Sequence, residues 1–202
     1  KYPYTVRPAL QIIGPRPGVK KVGSMHILMT KEGPLFLADT TINHHLTAED
    51  IADITELVAE EVEALNIEPR IALITYSNFG SVPRGESAML MREATHLLHE
   101  RHPAWIVDGE MQAHLALKPD LRDQYYPFSK LGDKPANVLI FPALSAANIA
   151  YNLLNYASSM GILGPILLGM AKPVHVLQLG ASVHQIVDMV GVAVMHAQRK
   201  MN

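Results

Sequence analysis

Apolar residues recur along this chain in two different rhythms. After Thr47 they fall at Ile51, Ile54, Val58, Val62 and Leu65, and spacings of 3, 4, 4 and 3 put one stripe on a helix. Thr47 with Asp50 three residues on is a capping signal for its start. A second set, Leu90, Met91, Ala94, Leu97 and Leu98, predicts another helix behind the loop NFGSVPRGES. The other rhythm is short and nearly continuous. HILMT (26–30), PLFLADT (34–40), IALITYS (71–77), WIVDGE (105–110), NVLIFP (137–142), PILLG (165–169) and VHVLQ (174–178) read as strands. Lys31-Glu32-Gly33 is the turn between the first two. TVRPALQII opens the chain as a helix, and residues 145–160 and 183–199 are two more. Strands alternating with helices demand a mostly parallel sheet with helices on both faces, a three-layer α/β/α domain. GPRPGVKKVG (14–23) reads as a linker or a hinge between domains.

Composition narrows the function classes. Hydrophobic residues are 49% and charged residues 18%, a globular balance that excludes a disordered tail. A net charge of −2 with no basic stripe argues against nucleic acid as a partner. Cysteine is absent, which removes disulfides, thiolate metal sites and thiol catalysis. No apolar run reaches membrane-spanning length and no secretory leader opens the chain, so a cytoplasmic protein without a membrane partner is expected. The first residue is Lys1, already close to a helix and without a starting Met, so a piece of a longer protein is also expected.

Ligands of such sheets bind beyond the carboxyl ends of the strands, which directs attention to the residues that follow them. SNFGS (77–81) offers hydroxyls, an amide and a glycine, a set suited to a phosphate or an acyl carbonyl and equally a polar loop without function. Arg84 is either a cation for the same site or a solvated side chain. Asp108 and Glu110 flank Gly109: paired acids serve acid–base chemistry or Mg²⁺, and a structural turn is the plainer reading. His96, His99 and His102 stand three apart, but 102 rotates off the face shared by 96 and 99, so no zinc site is expected. His44-His45 has no metal spacing either. Most of the Met residues are expected to fill helix cores. Asn148 and Tyr151, at i and i+3 on the first turns of a helix, either face a ligand or cap and pack.

KPVHVLQLGASVHQIV (172–187) raises the sharpest question. It reads as strand, Gly180 turn and a helix capped by Ser182 with Gln185, the setting in which α/β enzymes place phosphate-binding and catalytic groups. The turn nevertheless carries Gln178, Leu179 and Ala181, none of them a nucleophile, base or cation.

Taken in order, RPALQII, ADTTIN with TAED, PRIALITYSNFGS, VDGEMQAHLAL, ANVLIFPALSAANIAYNLL, GPILLGMAKPVHVL and GASVHQIV resemble the phosphate acetyltransferases over nearly the whole chain. SNFGS, DGEMQA and KPVHVLQ most resemble the phosphotransacetylase-like C-terminal domain of bacterial NADP-dependent malic enzymes. The resemblance implies the phosphotransacetylase-like (isocitrate/isopropylmalate dehydrogenase-like) fold. It also implies a two-domain unit that this chain only partly fills. Residues 1–14 would end a first domain, 15–172 form a middle α/β domain, and 173–202 return to the first.

Active members transfer acetyl between coenzyme A and phosphate, and the resemblance places their Ser, Arg and Asp at Gln178, Leu179 and Gln185. It keeps Arg7, Ser77, Asn78, Gly80, Ser81, Asn148, Tyr151 and Lys172 as a frame for acetyl-CoA. The implied function is an allosteric effector site in place of catalysis. No cofactor is expected here; NADP and a divalent metal would belong to a malic-enzyme portion of the same chain. The implied partners are that portion and a second copy, paired through the middle domain. A working acetyltransferase and a purely structural dimerisation domain are the rival readings.

Overall fold

A computed structural model describes residues 2–39, 42–43, 45–157, 161–177 and 180–199. Helix α1 (Tyr2–Ile12) leads through a loop to a hairpin, β1 (Gly23–Thr30) and β2 (Gly33–Ala38). Next come α2 (Ala48–Ala64), β3 (Arg70–Ile74), α3 (Glu86–Arg101) and β4 (Ile106–Met111). Two short helices, α4 (Ala113–Leu117) and α5 (Pro119–Tyr125), precede β5 (Val138–Ile140), α6 (Leu144–Ala157), β6 (Ile162–Leu168) and α7 (Val183–Arg199). The six strands form one sheet in the order β4-β3-β5-β2-β1-β6. Neighbours from β4 to β2 pair in parallel, while β1 is antiparallel to both β2 and β6. Only β1 is therefore reversed, and the expected mostly parallel sheet is present.

Alternation along the strands sorts side chains onto two faces. Met25, Ile27, Phe36 and Ala38 meet the α2 stripe, with Met91, Ala94 and Leu98 of α3 and Met189 and Val192 of α7. Leu28, Leu35, Leu37 and Leu139 point the other way, onto Ala116 of α4 and Ala147 and Tyr151 of α6. Those are the three layers. A smaller cluster sets Val6 of α1 against Val22, Leu167 and Met170. The predicted linker is tied down: Arg16 N donates to Gly169 O at 2.9 Å and Ala171 N to Gly14 O at 2.9 Å.

Both capping signals are real. Thr47 and Asp50 form a reciprocal capping box on α2. On α7, Ser182 N donates to Gln185 Oε1 at 2.9 Å and Gln185 N to Ser182 Oγ at 3.2 Å. The hairpin turns where Lys31-Glu32-Gly33 predicts, with Thr30 paired to Gly33.

Several expectations need correction. VHVLQ forms no strand among the described residues; His175 makes one isolated bridge to Ile166. Its apolar character serves packing instead, because Val174 and Val176 lie on the α1 cluster. The 71–77 strand ends at Ile74, where the chain turns into the polar loop, and the 137–142 strand shortens to Val138–Ile140. The 105–110 strand is present as β4, so the turn reading of Asp108-Gly109-Glu110 falls: all three lie inside it.

Candidate functional site

The βα loop after β3 is organised around one carboxylate. Glu110 is fully buried on the edge strand β4, a position tenable for an acid only if its charge is met. Its Oε1 accepts from Ser77 Oγ at 2.8 Å, Gly80 N at 2.9 Å and Arg92 Nη2 at 2.9 Å, and its Oε2 accepts from Arg92 Nε at 3.0 Å. Burial alone would raise the carboxyl; the Arg92 fork, Gly80 N–H and Ser77 hydroxyl outweigh it and hold Glu110 below its ordinary range. Arg92, on α3, is correspondingly raised by its bond to Glu110. Gly109 lets the strands close here: a Cβ on it would lie 2.7 Å from Leu73 O.

The loop then spends its own backbone. Asn78 N donates to Ser81 Oγ, Phe79 N to Glu110 O, Gly80 N to the Glu110 carboxylate, Ser81 N to Asn78 O and Val82 N to Ser77 Oγ. Asn78 also exchanges two side-chain bonds with Gln112, at 2.7 and 3.1 Å. Phe79 and Gly80 adopt positive φ, 45° and 88°, which turns the chain tightly enough for this. Along the same sheet edge, Asp39 accepts from Ser24 N at 3.0 Å, from Ser24 Oγ and from Asn43 N at 3.1 Å. Asp108 accepts from Lys130 N at 2.8 Å, so the two acids of DGE hold two different loops.

The structure brings Ser77, Asn78, Gly80 and Ser81 together in that loop and places the other candidates elsewhere. Tyr151 is buried, its ring stacked on His26 at 4.2 Å. It helps line a cavity of about 220 Å³ between α6, β6 and the start of α7, with Asn155, Gly164, Leu177, Gln185 and Met189. Asn148, one turn earlier on α6, accepts from Asn152 Nδ2 at 2.9 Å through its carbonyl. Lys172 lines a different cavity of about 240 Å³, beside Arg16, Glu61 and His196. Arg7 is exposed on α1. Arg84 is exposed as well. Gln178 and Leu179 lie outside the described residues. The three histidines of α3 diverge: His99 meets Val107 O at 2.8 Å, His102 stacks on Trp105 at 3.8 Å, and His96 pairs with Glu100 at 3.5 Å.

Sequence reasoning missed the partners that matter most here. Arg92 had no motif around it. Arg122, only 1% exposed, donates to the carbonyls of Leu115, Ala116, Gly132 and Lys134 and so pins the α4–α5 excursion. His26 sat unnoticed in an apolar run; burial pushes its imidazole down to about 4. Glu61 and His196, paired at 2.5 Å, are 135 residues apart in the chain, on α2 and α7.

The sheet order, the saturated βα loop and the glycine-led turn before α7 now stand beside a match that decides the family. The sequence profile described as phosphate acetyl/butaryl transferase covers residues 1–194. The chain belongs to the phosphate acetyl/butaryl transferase family. An NADP-dependent malic enzyme of Escherichia coli strain K12 is 46% identical over 188 residues, 93% of this chain but 24% of that enzyme. A phosphate acetyltransferase of Clostridium acetobutylicum is 35% identical over 201 residues, 96% of this chain and 60% of that one. The solved phosphotransacetylase of Streptococcus pyogenes superposes with a TM-score of 0.90 at 31% identity, over 98% of this chain and 60% of its own. This family member thus spans about a quarter of the length of the malic enzyme and three-fifths of the acetyltransferase. Its match to the malic enzymes is to their phosphotransacetylase-like C-terminal domain.

Proposed function

We propose that this chain is a non-catalytic regulatory domain that binds acetyl-CoA, within a malic enzyme that oxidatively decarboxylates malate to pyruvate with NADP. The observation that carries the reading is the use of Gln185. Where active members of the family place an acid, this residue is a carboxamide closing the cap of α7 with Ser182. A carboxamide takes no proton from a thiol at neutral pH. Gln178 and Leu179 replace the Ser and Arg of active members in sequence. Loss of a base and of a cation costs about 10²–10⁴ in rate each.

The cavity beside Gln185, about 220 Å³, has room for the acyl end of a thioester rather than for the whole cofactor. The remaining length of acetyl-CoA lies in this reading along the sheet edge, with Arg7 as its cationic anchor and residues 77–81, Asn148 and Lys172 bordering it. Acetyl-CoA acts on a distant malate site by binding two states of the enzyme unequally. The domain also joins two copies through residues 15–172, and NADP and a divalent metal belong to the malic-enzyme portion.

Calorimetric titration of the intact protein with acetyl-CoA is the test, paired with a coupled assay of acetyl phosphate and coenzyme A. Binding without turnover is expected. Turnover above about one per second, near the low end of ordinary enzymes, establishes the rival acetyltransferase reading instead. Arg7→Ala should weaken acetyl-CoA about ten- to a hundredfold, the loss of one charge-assisted bond of roughly 1.5–3 kcal/mol, and relieve its effect on the malate reaction. Unchanged affinity in a normally folded variant removes Arg7 from the site.

A further inference from the structure

Three ionisable side chains meet where the C-terminal segment rests on the sheet. Glu61 of α2 and His196 of α7 are both nearly buried, at 8% and 11% side-chain exposure, and pair through Oε1 and Nε2. His175 lies against His196, ring centres 4.9 Å apart. Its two ring nitrogens are buried and have no hydrogen-bond partner among the described residues. Such a pair of imidazoles beside one carboxylate tolerates one additional positive charge far better than two. The charged groups around it complete the balance. Glu60 of α2 is bonded to Arg16 of the loop before β1, and Lys172 stands in the same cavity as Arg16, Glu60, Glu61 and His196. Glu60 is matched by Arg16, while Glu61 faces the two histidines.

We propose that His175, His196 and Glu61 form a proton-operated latch that holds residues 173–177 and helix α7 against the sheet, closed while His175 is neutral and released when it takes a proton. The joint is the right place for such a device. His175 makes the one backbone bridge between this segment and β6 among the described residues, Gln185 Nε2 adds a long side-chain bond to Ile162 O at 3.4 Å, and the segment further on supplies Leu177, Gly180, Gln185 and Met189 to the cavity beside Tyr151. Releasing the segment therefore dismantles that cavity. His175 is held down to about 4, chiefly by burial and then by repulsion from His196, against the attraction of Glu61. The sign follows directly. A released His175 recovers an ordinary value near 6.5 and binds protons more tightly than the latched one, so falling pH favours release. Between pH 7 and pH 5 the release equilibrium shifts by roughly five- to twentyfold, the lower figure allowing for solvent screening at the open side of the joint. The consequence for acetyl-CoA rests on the effector reading above: affinity should fall over the same range.

The test is made first without ligand, on the intact protein. The ratio of amide exchange in α7 to that in α3 cancels the chemical pH dependence. It should rise five- to twentyfold from pH 7 to pH 5 in the natural protein. It should stay flat in His175→Phe and in His175→Gln. A flat ratio in the natural protein, or an equal rise in a folded variant, overturns the latch. Proton NMR titration of the His175 ring needs no variant, and an ordinary midpoint near 6.5 overturns it too. Calorimetry with acetyl-CoA at both pH values separates the two ideas. An exchange shift without acetyl-CoA binding refutes the effector reading and upholds the latch.

Discussion

Replacing Glu110 by Gln isolates the charge that organises the βα loop. The amide keeps one oxygen for Ser77 and Gly80 but turns an NH₂ toward Arg92, where a carboxylate now accepts two bonds at 2.9 and 3.0 Å. A fully buried pair broken on one side costs about 3–5 kcal/mol. Arg92, however, is 39% exposed and turns to water when its partner is lost. The expected loss is therefore about 1.5–3 kcal/mol, the value of charge-assisted bonds. For a chain of this length that lowers Tm by roughly 3–12 °C. Arg92→Met should cost more, about 3–5 kcal/mol, because it strands a carboxylate with no exposure of its own. The double variant should resemble Glu110→Gln, since the two changes remove one interaction. Glu110 lies below its ordinary range in the folded state, so its contribution is present above the ordinary carboxylate range and lost as pH falls beneath it. The gap between natural protein and Glu110→Gln should accordingly narrow in acid. Urea unfolding at neutral and acid pH measures all of this. Glu110→Gln within 0.5 kcal/mol of the natural protein, the scale of an ordinary surface change, or a greater cost than Arg92→Met, would refute the reasoning.

Two further outcomes follow from buried groups. Arg122→Met leaves four carbonyls without their donor and should cost about 3–5 kcal/mol, with protease cleavage appearing first between residues 113 and 136; a protected excursion in a destabilised protein would show that Arg122 is not its pin. His26, lowered to about 4 by burial, binds its proton more tightly when unfolded, so stability falls as pH drops from 6.5 toward 4, by about 2–3 kcal/mol at pH 4.5; His26→Phe should lose that share of the acid dependence, and urea midpoints at pH 7 and pH 4.5 that move equally in both proteins would sink the idea.

What the sequence made legible is what depends on neighbours in the chain. The α2 stripe, both capping boxes and the hairpin turn rest on residues within a few positions of each other, and each is present. The errors share an opposite cause. VHVLQ has the apolar content of a strand, but a strand needs a ladder, and beside β6 it finds one bridge. Asp108-Gly109-Glu110 is legible as the end of the 105–110 strand, but the turn reading of its acid pair fails: Glu110 is buried in that strand, and its partner Arg92 lies 18 residues away. Glu61 with His196 is more distant still. Periodicity cannot show such pairs, since nothing local distinguishes an acid that will be buried with a partner from one that stays in water. The loop residues of the candidate site were therefore legible in the sequence, and the side chains that support them were not.

Those supports change what the SNFGS loop offers. A phosphate cradle works by presenting free backbone N–H groups to an anion. Here the five N–H groups from Asn78 to Val82 are all engaged, two of them by Glu110. An incoming phosphate would have to displace a carboxylate that is itself anionic, buried and already matched by Arg92. A ligand at this loop would consequently meet outward side chains and not the loop's backbone. Arg92, on α3 beside the loop, is the clearest of these. Two of its nitrogens hold Glu110, and its Nη1 makes no hydrogen bond among the described residues while the side chain is 39% exposed. A guanidinium fixed along one edge loses little freedom when its other edge binds, which is the condition for a selective contact. The same geometry gives a hydroxyl of this loop a structural use: Ser77 holds the turn through Glu110 and Val82 N, and holding the turn aims Arg92.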